Sequence, residues 1–426
     1  MKRVAVVGAG LSGLIMAYNL SKRNDVHIVI LEKGKPFEDR VASVGADLVS
    51  GEGGAGTVCG GKLCFPPASS GVWRRSSLRK EDFMKFEELC LNSFILNKKF
   101  PTTITTTENF SKRSNIFLKE YPSVFLKKAE MQMFIGNLLN AIKKQGGVIL
   151  HNCEFIDYEK SNKKFVVKCR NNNIEEILGN FDYLILASGR LSSDRISKWI
   201  RMKNAVMLQN PDLGIRFTTN LNRDGIFKNI GKDIKVKAKF GDIGVRTFCV
   251  CSGGNKTIVD VNGMKYYDGH FEDEITDQVN LGILARSPYI HGYEGAALYC
   301  ACLRPYLNSD YSLKDFVKCS DKLIKNTTIF SDVLTSIKGF IFLLRQGGLI
   351  DENLDKYPVY FPSVDKLNPI IQTNQHFETT SDNLYVIGDA VGISRGFVQS
   401  MWSAYCASNH IIMKLEEQKQ GERMVV

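Results

Sequence analysis

Two cysteines stand one residue apart in the run "VRTFCVCSGG": Cys249 and Cys251. On a β-strand, residues two apart point to the same face. That spacing admits three chemistries: a redox pair, half of a metal site, or two small packed side chains. A regular strand sets the Cα atoms about 6.5–7 Å apart, at the edge of disulfide reach. A bond would need a kink, which the following "CSGG" can provide. Structural metal sites usually carry wider Cys pairs and a second pair. Cys59 and Cys64 are the available partners, and no Cys-x-x-Cys occurs. Packing is the leading expectation, with redox chemistry of the thiols next and metal last.

A second constellation is more specific. "VAVVGAGLSGLIMAYNL" carries Gly8, Gly10 and Gly13 as G-x-G-x-x-G, between a β-branched run and a stretch with helical spacing. Such a turn needs a glycine for its sharp bend and one for backbone approach to a pyrophosphate. The third glycine permits close helix–strand packing. Glu32 ends the next apolar run, "VHIVILEK", where a carboxylate accepts from ribose hydroxyls. Lys33 follows it and is counted with the cofactor residues.

The C-terminal stretch "NLYVIGDAVG" narrows the dinucleotide to FAD. An apolar strand ends in Gly388–Asp389 ahead of a helix. In flavoproteins with this layout the Asp holds the ribityl chain, and the helix N-terminus faces the electron-rich edge of the flavin. "FDYLILASGR" adds a strand whose turn, at Gly189, passes the cofactor.

The elements that would position these residues are read from periodicity. The 426 residues, 44% hydrophobic and 24% charged, have ordinary globular composition and length for two domains. The expected fold class is α/β: a Rossmann-like FAD-binding domain, discontinuous over 1–205 and 346–426. A β-rich (α+β) substrate domain is inserted at 206–345. The glycine-rich run from Ser43 to Gly71 is expected to be irregular. No apolar run is long enough for a membrane span, and the N-terminus reads as a strand rather than a signal peptide. Eleven scattered cysteines fit a reducing cytoplasm. The net charge of +11 fits a solvated surface or, more sharply, an anionic ligand. Its dispersal makes nucleic acid an unfavoured partner.

The chain resembles a family of FAD-dependent dehydrogenases related to the glutathione-reductase-type flavoproteins, with a layout like that of p-hydroxybenzoate hydroxylase. The resemblance is carried by "VVGAGLSGL" with Glu32, "GEGGAGTVCGGKL", "LASGR", "PDLGIRF", "GVRTFCVCSGG" and "NLYVIGDAVGISRGFVQSMWSA". It implies FAD held at Gly8, Gly10, Gly13, Glu32 and Asp389, with backbone contacts from Gly392 and Gly396. It also implies a place beside the flavin for the segment containing Gly54, Ala55, Gly56, Thr57 and Lys62. Cys59, Cys64, Met401 and Trp402 depart from the family pattern, and a large aromatic at 402 could reshape the pocket.

The expected function is FAD-dependent hydride transfer between flavin N5 and a small organic substrate, as a dehydrogenase or C=C reductase. A flavin monooxygenase, or a flavoprotein acting on a nucleic-acid or carrier-bound substrate, are the alternatives. Lys62, Cys249, Cys251, His291 and Arg395 are the candidate catalytic residues. Arg216 and Arg246 are either solvated or receive a carboxylate. No second G-x-G-x-x-G stands within a strand–helix–strand unit, so NAD(P)H is expected only as a transient or external donor.

Overall fold

A computed structural model describes residues 1–41, 47–56, 61–95, 100, 107–111, 116–202, 204–220, 232–270, 276–318 and 328–424. The β-branched run Lys2–Val7 forms the centre of a parallel sheet. Its strands run in the order Leu384–Val386, Tyr183–Leu186, Lys2–Val7, Val26–Leu31, Val148–Leu150. The two central neighbours pair in parallel register, Val4 with Ile28 on one side and Tyr183 on the other. Parallel strands are covered on both faces, which is why they read as unbroken apolar runs.

Helix Leu11–Ser21 is buried along almost its whole length. The final helix, Phe397–Met424, and helix Lys128–Lys144 pack against it. The latter presents Met131, Phe134, Ile135, Leu138, Leu139 and Ile142 inward, the i, i+3, i+4, i+7 stripe of an amphipathic helix.

The second layer is a nine-stranded sheet. Its centre is Asp212–Asn220, Gln278–Arg286, Ile243–Ser252 and Lys232–Phe240, all antiparallel. Helix Ser331–Gln346 covers one face with Val333, Leu334, Ile337, Phe340, Ile341 and Leu344. The hairpin Asn255–Val261 and Met264–His270 packs on this sheet and carries Asp268 toward the cleft.

The sheet also recruits strands from outside the expected insert. Gly61–Cys64 and Thr107–Ser111 pair with Ile116–Leu126, which itself pairs with Lys232–Phe240. On the other side, Pro358–Asp365 pairs with Asp212–Asn220. The apolar core of this layer accordingly runs on to Val364 and Leu367, past the expected boundary at 345. The glycine-rich run is also more regular than expected. It holds the strand Gly61–Cys64 and the short helix starting at Ser70. Long-range pairing overrides its turn-forming composition there.

Trp402 is part of the core. It is 2% exposed, donates its indole N–H to Ser76 at 2.8 Å, and meets Trp73, Phe83 and Phe86 at ring-centroid distances of 5.9, 5.7 and 5.5 Å. Such aromatic pairs are worth about 0.5–1.5 kcal/mol each beyond area burial. The pocket is therefore not reshaped by this residue.

Candidate functional site

In open parallel α/β sheets, ligands bind outside the carboxyl ends of the strands. Four strand ends converge here. Gly8 follows Val7, Glu32 follows Leu31, Ala187 follows Leu186, and the Gly388–Val391 turn follows Val386 after Ile387. Gly8, Glu32, Ala187 and Asp389 line one cleft of about 1000 Å³, at the upper end of ordinary ligand-pocket size. The antiparallel sheet forms its opposite wall through Lys62, Phe248 and Cys249.

The three glycines of the first turn do different work. Gly8 has φ +102°, and a Cβ there would stand 2.7 Å from the Ala187 carbonyl. A Cβ on Gly13 would fall 1.9 Å from the Gly8 carbonyl, so only glycine lets helix and strand approach this closely. Gly10 differs: a Cβ there would meet nothing nearer than Gly54 Cα, at 4.0 Å. The space in front of Gly10, at the N-terminus of helix Leu11–Ser21, is the cradle a pyrophosphate would fill. That helix carries no acidic residue in its first turn, so no side chain of its own competes with an anion for its positive end.

Glu32 is 5% exposed. It accepts backbone N–H bonds from Ala9 (2.7 Å), Gly34 (2.8 Å) and Gly51 (2.9 Å). A carboxylate has about four acceptor positions, which leaves capacity for a ribose hydroxyl. Lys33 also lines the cleft and pairs with Glu154 at 3.1 Å.

The segment Gly51–Gly56 lies against the glycine turn. The Gly53 N–H donates to the Ala9 carbonyl at 2.8 Å, Gly10 and Gly53 form a bridge, and Gly54 and Ala55 line the cleft. Gly56 ends that 3-10 turn. Thr57 lies outside the described residues. Gly189 lines the cleft with φ +60°. Gly388 is behind the wall. Its N–H donates to Ser403, and a Cβ would strike the Ser12 hydroxyl at 2.4 Å. Gly392 and Gly396 line the cleft with φ +80° and +119°. With Phe397 and Ser400 they aim the N-terminus of the final helix into it. Two helix N-termini therefore face one elongated cleft. This fits the two electron-rich parts of FAD, its pyrophosphate and its ring.

Asp389 belongs to an alternating run of charges that ties the two layers together. Arg216 and Arg190 each lie 3.3 Å from Asp268. Arg190 lies 3.8 Å and Arg395 2.8 Å from Asp389. Arg395 and Arg246 lie 2.7 and 3.2 Å from Asp365, and Arg246 and Arg286 each 2.6 Å from Asp212. Burial alone would raise the Asp365 carboxyl, but Arg395, Arg246 and Arg190 hold it well below the usual carboxylate range. Asp212 is lowered against the same burial by Arg246 and Arg286. Both arginines that sequence left open thus act inside this network. Arg216 is fully buried on Asn280 and Asp268.

Sequence reasoning missed Arg190, Asp268 and Asp365. Arg190 directly follows Gly189 at a strand end, a signal that could have been used. Asp268 and Asp365 sit in no motif and are found only through tertiary pairing.

Lys62 donates to the Val250 carbonyl at 2.8 Å from the strand Gly61–Cys64. Cys249 is half-buried and lines the cleft, while Cys251 is buried behind it. The strand is not straight there. A bulge falls between Phe248 and Cys251, and Cys249 has φ +44°. The kink thus lies at Cys249 itself rather than in the following "CSGG". His291 does not join the others. It is exposed, precedes helix Gly292–Leu303, and faces Asn210 at 3.1 Å outside the cleft lining. Among the described residues no cluster of His, Cys, Asp and Glu could hold a metal ion.

The family of NAD(P)-binding Rossmann-like domains matches residues 6–37. No curated protein matches the chain. Among solved structures, the chain is similar to a geranylgeranyl bacteriochlorophyll reductase-like protein of Thermoplasma acidophilum (TM-score 0.44, 13% identity, 100% of this chain and 83% of that one). It is also similar to aklavinone-11 hydroxylase in complex with FAD and aklavinone (0.42, 12%, 99% and 63%). A third is 2-methyl-3-hydroxypyridine-5-carboxylic acid oxygenase (0.42, 13%, 96% and 82%). At these scores the likenesses carry no functional argument, and the reading rests on the cleft itself.

Among the described residues, no helix is long and apolar enough to cross a membrane.

Proposed function

We propose that this chain is an FAD-dependent oxidoreductase that exchanges a hydride with a small anionic organic substrate. One observation carries the reading. A single cleft joins a dinucleotide turn, two helix N-termini and a cationic sheet face. More than twice as many Lys and Arg as Asp and Glu side chains line it. On the sheet wall, Lys119 stands directly opposite Lys235, and Lys237 directly opposite Arg246. A wall with this excess of cationic side chains favours an anionic group on the substrate.

In this reading the Gly8–Ser12 turn holds the pyrophosphate, Glu32 accepts from the adenosine ribose, and Asp389 takes the ribityl hydroxyls. Bound FAD supplies the two-electron chemistry. The protein supplies orientation: Lys235 and Lys237 seat the substrate's anionic group, and Phe248 beside them offers an apolar face. Lys235 and Arg246 lie 5.6 and 5.0 Å from its ring centroid. Arg395 and Lys62 line the same cleft and would stand near bound FAD. NAD(P)H, or another protein, is the external electron source. The scattered pattern of the eleven cysteines favours a reducing cytoplasm as the setting.

The test is direct. The purified protein is expected to be yellow and to release intact FAD on acid treatment. Anaerobic screening of organic acids and phosphate esters is expected to find compounds that bleach the flavin. A folded protein that takes up no FAD on reconstitution overturns the reading. Hydroxylated product with rapid oxygen uptake would assign the monooxygenase alternative instead.

A further inference from the structure

We propose that Cys249 and Cys251 form a thiol–disulfide exchange site, with Cys249 as the attacking thiol, Cys251 as the resolving thiol and a small-molecule disulfide as the oxidant. The site opens into the same cleft but does not depend on the flavin reading, since neither sulfur belongs to the dinucleotide turn.

Geometry carries this. The bulge and the left-handed backbone at Cys249 pull the two sulfurs to 3.6 Å. A disulfide needs 2.03–2.05 Å, so a side-chain rotation of modest size closes the bond. A regular strand would have held the Cα atoms at the limit of reach. A left-handed non-glycine residue inside a strand is strained. Packing alone gives no reason to keep that strain, because two small side chains fill a straight strand equally well.

The two sulfurs are also unequal in the way exchange requires. Cys249 lines the open cleft, and Cys251 is buried against Gly269, where even a Cβ would stand 2.4 Å from its sulfur. An incoming disulfide therefore meets Cys249 first. The Cys251 thiol lies against Cys249 and lowers its pKa to about 6, against burial and Asp268, which raise it; Lys62 and Arg216 add to the lowering. The same arrangement raises Cys251. Thiolates attack and thiols do not, so reactivity collects on the accessible sulfur.

The step balances without any other reactant. Cys249 thiolate attacks a disulfide RS–SR, forming an S–S bond to one R group and releasing RS⁻, which takes a proton. Cys251 then loses its proton and attacks the Cys249 sulfur, forming the intramolecular disulfide and releasing the second RS⁻, protonated in turn. Two protein thiols are oxidised and one small disulfide is reduced to two thiols.

Trypsin makes the test clean. Cleavage after Arg246 and Lys256 yields Thr247–Lys256, which contains these two cysteines and no others. The folded full-length protein is treated with oxidised glutathione, quenched in acid, and mapped by mass spectrometry. The expected wild-type peptide is lighter by two hydrogens, carries no glutathione, and returns to the dithiol with dithiothreitol. Cys251→Ser is expected to stop at one glutathione on Cys249. Cys249→Ser is expected to react about tenfold more slowly or not at all, because its remaining sulfur is buried. The half-buried Cys302 serves as the internal reference in the wild-type map. A wild-type peptide that stays reduced while Cys302 reacts overturns the proposal, as does one that holds a stable glutathione. The wild-type result decides even if a variant fails to fold, which circular dichroism would reveal. FAD content is measured separately on the same sample, so loss of the flavin reading and loss of this proposal give different signatures.

Discussion

Arg395 holds Asp389 from six residues further along the chain, with Nη1 2.8 Å from the carboxylate. The same guanidinium places Nε 2.7 Å from Asp365, on the antiparallel layer. One side chain therefore fastens the turn proposed to carry the flavin's ribityl group to the wall proposed to carry the substrate. Arg395→Leu is expected to leave two carboxylates short of a cation and to lower stability by roughly 3 kcal/mol near neutral pH. The sign of its pH dependence follows from Asp365, whose folded pKa is depressed. The stabilisation is present above the unfolded carboxylate value and is lost as pH falls through the folded one. Urea midpoints at neutral pH and below about pH 4 are expected to show the wild-type advantage shrinking on acidification. An advantage that stays constant would show that the ion pairs do not contribute.

Asp389→Leu tests the cofactor side of that relationship. It removes a charge-assisted hydrogen bond worth roughly 1.5–3 kcal/mol. FAD affinity is expected to fall by about ten- to a hundredfold while the circular dichroism spectrum is retained. Unchanged FAD affinity by fluorescence titration would take Asp389 off the cofactor.

Gly10 and Gly13 separate folding from binding. A methyl on Gly13 collides with the Gly8 carbonyl, whereas a methyl on Gly10 enters open space. Gly13→Ala is expected to lower the melting temperature of the FAD-free protein. Gly10→Ala is expected to leave that temperature nearly unchanged and still abolish FAD retention. Equal effects of both substitutions on the FAD-free melt would show that the space before Gly10 is structural.

The comparison of these residues also shows what the sequence made legible. The glycine turn, Glu32 and the strand-end Gly388–Asp389 are local signals, since each lies within a few residues of the element that requires it. The cleft's far wall is different. Strand Gly61–Cys64 is surrounded by turn-forming residues and is a strand only because Ile116–Leu126 pairs with it. Lys62 lies in a recognisable glycine-rich motif, yet its contact with Val250 spans 188 positions. Asp268 and Asp365 bear no pattern at all and become visible only when two layers meet. His291 is a candidate only because aromatic and acidic residues gather near it in sequence, where an ordinary loop histidine is the stronger expectation, and the fold leaves it exposed outside the cleft lining.

Electron supply gives a further test. The region where a separate nicotinamide domain would have to lie is an antiparallel sheet, and the described residues contain a single parallel βαβ dinucleotide unit after Lys2–Val7. With FAD occupying that unit, NADH and NADPH are expected to reduce the loaded enzyme slowly and with weak saturation. Stopped-flow mixing checks this. Rapid saturable bleaching at micromolar NADH or NADPH without substrate would reveal a nicotinamide site on the sheet face.

Glu87 gives the fold a pH dependence remote from the cleft. It follows helix Lys80–Phe86, is 6% exposed, and its Oε1 has no hydrogen-bond partner. Burial pushes its carboxyl up to about 7, because ionisation there forfeits hydration with nothing in return. The sign is opposite to that at Asp365. With the folded pKa above the unfolded one, the folded state binds the extra proton. Stability is fully present below the unfolded value of about 4.3 and declines as pH rises toward 7. At 1.36 kcal/mol per unit, the loss reaches roughly 3 kcal/mol. Glu87→Gln keeps the shape and removes the charge. It is expected to exceed the wild type by only about 1 kcal/mol at pH 5 and by up to roughly 3 kcal/mol at pH 8. Urea denaturation at the two pH values measures the difference directly. Parallel stability curves for wild type and variant across that range would show that Glu87 finds solvent or a cation when it ionises.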